Sequence, residues 1–247
     1  MNIKRGFLFI MAFSCFSSFS LANNLNIGVY IWSNCFKKLK SSEITNFIET
    51  KDIERIELSY KPYSEEQSVR DWTKKITDRG KEVEIILSEP SYIFPEKWPE
   101  VRNRLIDIFE SGHNVHFDIE PHILPDFKEN KVKYLELFLN LLQKTNFIAK
   151  QYKKKLSVAI SISHYKSVIN EIFNNSDLVV FMAYGFKNVK RINRIIDSHE
   201  KEKVAIALRA KDFENEKELL EYIHEINNLT SIRIFIIQNL RQWKELR

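Results

Sequence analysis

Three ionisable side chains stand at every second position in His116-Phe117-Asp118-Ile119-Glu120. Alternate residues of an extended strand share a face, so His116, Asp118 and Glu120 point one way while Val115, Phe117 and Ile119 point the other. Two carboxyls two residues apart are separated by about 7 Å along such a strand, and their repulsion keeps a proton on one of them near neutral pH. A carboxyl still protonated there is a general acid. Glu120, nearer the end of the segment and with the longer reach, is the expected donor to a leaving oxygen. Asp118, one layer deeper, is expected to share and reposition that proton, with His116 as a hydrogen-bonding neighbour. His116, Asp118, Glu120 and His122 could also be read as metal ligands, but ligands two apart on one strand do not converge easily on one ion. Neither a metal nor a cofactor is expected.

What positions this segment is a repeated alternation of apolar runs with helical stripes. Strands are predicted near 26–32, 54–60, 82–88, 114–120, 155–163, 177–184, 202–209 and 231–238. Helices are predicted between them, clearest at 128–153, where Val132, Leu135, Phe138, Leu139, Leu142 and Phe147 are assigned to one buried side. Further stripes fall at 64–79, 98–111 and 215–229, with a short last helix at 239–246. Strand and helix in turn imply parallel strands with right-handed crossovers. Eight such units predict an α/β fold of the (β/α)₈ TIM-barrel type in a single domain spanning 23–247. An open doubly wound sheet is the alternative, and no Gly-rich phosphate loop supports it.

Ahead of that domain, Lys4 and Arg5 precede an uncharged apolar stretch from Gly6 to Phe19 and small residues ending at Ala22. This is the layout of a secretory signal peptide over 1–22, and it predicts a secreted or periplasmic protein with no stable membrane insertion after cleavage. Cys15 raises a lipidated reading, but Ala12-Phe13-Ser14 is a poor lipobox. Only Cys35 would remain after cleavage, so an intrachain disulfide is excluded and the core alone must hold the fold. The formal net charge of +5 is spread along the chain. With no basic stripe interleaved with aromatics, nucleic acid is not expected as a partner, and the chain is expected to be monomeric.

Active sites of such barrels lie at the C-terminal ends of the strands. The residues there are Tyr30 and Trp32, Tyr60, Glu89, His116 with Asp118 and Glu120, His164, Tyr184, Arg209 and Gln238. Asp118 and Glu120 are expected to be catalytic and the others to bind substrate. Tyr30, Trp32, Tyr60, Tyr92 and Trp98 also offer rings on which a sugar could stack. Glu89 is a reserve second carboxylate, although its place before Pro90 suits a loop charge.

Here the chain resembles glycoside hydrolase family 18, the chitinase-like barrels, whose fourth strand ends in D-x-x-D-x-D-x-E. Asp118 and Glu120 match the last two acidic positions, while His113 and His116 replace the earlier two. Phe181-Met182-Ala183-Tyr184 is similar to the family's M-x-Y-D, with Gly185 in place of the final Asp. The resemblance implies Glu120 as acid/base, Asp118 as its partner and Tyr184 holding the substrate's N-acetyl group. Strand seven ends Leu208-Arg209-Ala210-Lys211, without the carboxylate that many retaining glycosidases place there. That gap is compatible with attack by the sugar's own acetamido oxygen, and equally with a catalytically inactive, lectin-like barrel. The expected partner is therefore a polysaccharide or oligosaccharide, as substrate of a glycosidase or as ligand of a sugar-binding barrel.

Overall fold

Short runs rich in Val, Ile and Leu pair in parallel, each with the next in sequence and the last with the first, in a computed structural model that describes residues 25–59, 67–161, 163–196 and 199–246. The strands are β1 (Asn26–Ile31), β2 (Arg55–Leu58), β3 (Glu82–Leu87), β4 (Asn114–Phe117), β5 (Leu156–Ser161), β6 (Leu178–Met182), β7 (Val204–Arg209) and β8 (Ile234–Gln238). Pairing of Gly28 on β1 with Ile236 on β8 closes the ring, which excludes the open sheet. The helices that follow the strands are α1 (Ser41–Thr50), α2 (Gln67–Asp78), α3 (Trp98–Glu110), α4 (Phe127–Gln151), α5 (Ile169–Asn174), α6 (Val189–Ile196), α7 (Glu216–Thr230) and α8 (Leu240–Glu245). The fold is the predicted (β/α)₈ barrel in one domain. The proposed signal segment 1–22 lies outside the described residues, and no helix among those residues is long and apolar enough to cross a membrane. Cys35 is a buried free thiol.

Two local expectations are corrected. The fourth strand ends at Phe117 rather than at residue 120, because beyond it only the Asp118 N–H still bonds across, to Leu87 O at 2.9 Å. Pro121, which has no N–H, then starts a short 3₁₀ turn, Pro121–Ile123. On α4, Val132 and Phe147 face solvent at 72% and 65% exposure. The buried stripe instead runs through Tyr134, Leu135, Phe138, Leu141, Leu142 and Ile148. A non-helical Asn130 near the start of α4 interrupts its helical phase just before Val132.

Outward-facing strand residues such as Val29, Ile56, Ile85, Val115 and Phe117 pack under the helices in the main core. The inward face divides in two. From β6 to β8 it is apolar, with Leu178, Val180, Ala205, Ala207 and Ile236. From β2 to β5 it is ionic and polar: Arg55, Glu57, Glu84, His116 and Ser157 are all at most 5% exposed. Arg55 reaches Glu57 at 2.8 Å, Glu82 at 2.7 Å and Glu84 at 2.6 Å. Gly28 makes room for it, since a Cβ there would meet Arg55 Cβ at 3.2 Å.

One guanidinium cannot neutralise two fully buried carboxylates and a third at the rim. Burial, reinforced by Glu84 and only partly offset by Arg55, pushes the Glu57 carboxyl up to about 8. The native protein therefore keeps a proton that the unfolded chain releases near the ordinary glutamate value, and stability falls as pH rises between those two points. His116 acts in the opposite sense, but only between about 3 and its ordinary value of 6.5. Relative to wild type, Glu57→Gln should gain stability progressively from pH 5 to pH 8, with a limiting slope of about 1.4 kcal/mol per pH unit. Urea melts across that range measure it; a constant difference would show that Glu57 is ionised in the fold.

Candidate active site

The mouth of the barrel is built where β4 gives way to the 3₁₀ turn. Asp118 and Glu120 are both half-buried there, while Ile119 between them is buried in the outer core. The alternation inferred for a strand thus outlives the strand itself. Burial, then the charge of Glu120, pushes the Asp118 carboxyl up to about 7. Burial also raises Glu120 above the ordinary carboxylate range. The pair shares protons as a unit, and the deeper acid is the more strongly shifted. The reason is solvent: Glu120 is nearer water.

Of the other predicted residues, Tyr184 faces both acids, His164 reaches Glu120 through His122, and Arg209, Gln238 and Trp32 stand at the same end of the barrel. Burial and then the charges of Asp118 and Glu120 hold the Tyr184 hydroxyl well above the ordinary tyrosine range. The Arg209 guanidinium lies 5.8 Å from the Tyr184 ring centre. Gln238 pairs with Arg209 in the ladder and is half-buried at the end of β8. His164 stacks on His122, with ring centres 4.5 Å apart, and His122 Nε2 lies 3.6 Å from Glu120 Oε1. Burial and then His164 lower His122 to about 4, so the imidazole beside Glu120 is neutral at ordinary pH. Trp32 stacks against Tyr30 at 6.0 Å.

Other expectations do not survive the geometry. His116, predicted to bind substrate, is fully buried beneath the mouth and lowered to about 3 by burial and then by Arg55. It is bonded to Tyr30 and Ser157, which makes it a structural link rather than a substrate contact. Tyr30 is 1% exposed, so its ring offers no face to a sugar. Glu89 is an exposed loop charge that accepts a bond from Ser91 at 3.2 Å. Tyr92 is buried against α3, where it bonds Glu100 and Arg104, and Trp98 begins that helix under the Lys144 ammonium. Tyr60 lies outside the described residues. Among those residues no group of three or more His, Cys, Asp or Glu is placed to hold a metal ion.

Two features, the ionic cluster and Asp212, escaped the sequence reading, whereas Tyr165 adjoins His164 in the stretch after strand five that the sequence offered as pocket lining. The ionic cluster carries the same alternation used for the fourth strand, in Arg55-Ile56-Glu57 and Glu82-Val83-Glu84, and that rule applied there would have found it. Tyr165 is 1% exposed, its hydroxyl has no partner among the described residues, and burial followed by Glu120 and Asp118 raises it. Asp212, just past β7, reaches back to the mouth: Oδ1 accepts from Arg209 at 2.7 Å and Oδ2 from the Gly185 N–H at 2.7 Å. A carboxylate is thus present near the end of strand seven, with both oxygens engaged.

No known family's profile matches the chain, and no curated protein matches it. Solved structures do. A chitinase from Chromobacterium violaceum superposes with a TM-score of 0.56 at 8% identity, covering 75% of this chain and 68% of that one. A family 18 chitinase variant from Cycas revoluta, in complex with (GlcNAc)4, gives 0.55 at 12% identity, with 75% and 68% covered. Tryptophan synthase from M. tuberculosis gives 0.52 at 11% identity, with 91% of each chain covered. Identities this low show a shared barrel fold, and that fold serves both chemistries.

Proposed function

We propose that the chain is a secreted or periplasmic glycoside hydrolase that cleaves a polysaccharide containing amino sugars. The observation that carries this reading is the coupled carboxyl pair at the barrel mouth, with Asp118 titrating near 7 beside Glu120. Two carboxyls whose environments shift them are the equipment of glycosidic acid catalysis. Glu120 gives its proton to the leaving glycosidic oxygen while the sugar's acetamido oxygen attacks the anomeric carbon. Water then opens that ring and returns a proton to Glu120. Asp118 supplies and holds the second proton of the pair, and Tyr184 orients the acetamido group. Attack by the substrate itself suits a mouth whose nearby Asp212 is tied to Arg209 and Gly185. The export assignment rests on Lys4, Arg5 and the apolar stretch before Ala22.

The same tied Asp212 favours a second reading, a barrel that binds sugar without cleaving it. Incubating purified protein with chitin fragments, peptidoglycan and exopolysaccharides, and assaying new reducing ends, separates the two. Release of reducing ends is expected from at least one amino-sugar polymer. Calorimetric binding without release would establish the second reading and end the first.

A further inference from the structure

One ion pair and three hydrogen bonds form a continuous chain through the barrel interior, from the ionic cluster toward the mouth. Arg55 Nη2 lies 2.6 Å from Glu84 Oε1, and the Ser157 hydroxyl donates to Glu84 Oε2. Ser157 Oγ is 2.6 Å from His116 Nδ1, and His116 Nε2 is 2.9 Å from the Tyr30 hydroxyl. Glu84, His116, Ser157 and Tyr30 are each at most 1% exposed, so water does not compete for these bonds.

Each hydroxyl in such a chain has one proton to give, so its polarity is set at one end. Glu84 pairs with Arg55 and also accepts from Ser157, whereas Glu57 accepts only from Arg55; Glu57 Oε2 and Glu84 Oε1 each lack a hydrogen-bond partner among the described residues. The proton that one buried glutamate must carry therefore belongs on Glu57, and Glu84 is ionised. An ionised carboxylate only accepts. Ser157 has then spent its hydrogen on Glu84, so His116 must donate from Nδ1, and its bare Nε2 must accept from Tyr30.

We propose that Arg55 and Glu84 fix this polarity, making His116 a positioning residue that turns the Tyr30 O–H inward and leaves only the lone pairs of its oxygen toward the mouth and Asp118. Asp118 lies two residues beyond His116 on the same face. Tyr30 is faced by Glu57 from β2, Glu84 from β3, His116 from β4, Asp118 just past β4 and Tyr184 just past β6. Asp118 is faced in addition by Glu120, Tyr165 and Tyr184. The bearing on catalysis rests on the glycosidase reading; the proton arrangement does not, and it can be measured without any substrate.

Nitrogen-15 NMR of the full chain reads the tautomer directly. His116 is expected neutral from pH 5 to pH 8, with Nδ1 protonated and Nε2 bare. The Nε2–H tautomer, or an imidazolium in that range, overturns the proposal. The carboxyl carbon of Asp118 gives a second measurement, compared between wild type and Tyr30→Phe. Losing an oxygen whose lone pairs oppose charge on the acid moves the Asp118 titration to lower pH. A titration that stays in place, or moves to higher pH, overturns the orientation assigned to the Tyr30 hydroxyl. Should Tyr30→Phe fail to fold, the wild-type tautomer decides alone.

Discussion

Glu120→Gln is expected to slow cleavage of the responsive glycan by about 10²–10⁴-fold, the usual contribution of a positioned general acid. Gln keeps the size and a hydrogen bond but has no proton to deliver to the leaving oxygen. The fold should be untouched, because Glu120 stands at the half-open mouth and makes no ion pair that the barrel needs. In the wild type the active protonation state is lost as pH rises past about 7, where Asp118 gives up its proton and the pair becomes fully charged. Removing the charge of Glu120 takes away the second cause of the Asp118 shift while leaving burial, the first. Asp118 should then titrate at lower pH than in the wild type, yet above an ordinary aspartate. Reducing-end assays and carboxyl NMR on the same variant check both statements. Full retained activity on every glycan that the wild type cleaves would remove Glu120 from the acid role.

Arg55→Leu should destabilise the protein by about 3–5 kcal/mol, the range for removing one partner of a buried ionic group. Arg55 is the only cation bonded to Glu57 and Glu84 among the described residues, and both glutamates are fully buried. Without it they must protonate or unfold the barrel. Protonation is easy in acid and costly above neutrality, so the penalty should grow from pH 5 to pH 8. Denaturant titrations at the two ends of that range measure the trend. A pH-independent loss near 1 kcal/mol would mean that the cluster is already neutral. The double variant Arg55→Leu with Glu84→Gln should recover part of the loss, since one stranded charge is then gone.

The barrel was legible because period-two and period-3.6 patterns survive in a chain whose strands are short and aliphatic. The site was legible for the same reason: Asp118 and Glu120 interrupt an apolar run at alternate positions, and burial of such groups needs a cause. What escaped depends on contacts between distant segments. Asp212 is an ordinary loop residue until the closing of the ring brings it to the Gly185 N–H. Val132 and Phe147 fit a helical stripe drawn straight through α4, and only the docked helix shows that its buried side runs through Tyr134 and Leu141 instead. His116 was placed in the mouth because strand direction gives the face of a residue but not its depth. The depth is set by the register with Ser157 on β5.

The split interior also decides how firmly the staves of the barrel are locked. Sliding one strand by two residues keeps every side chain on its own face, so the pleat alone does not forbid it. Across the aliphatic arc from β6 to β8, such a slip exchanges one small greasy residue for another. Across β2 to β5 it would pull Arg55 away from Glu84 and leave His116 without Ser157. The charged arc therefore selects a single shear for the whole cylinder, and the acids at its rim inherit their alignment from ions two layers below.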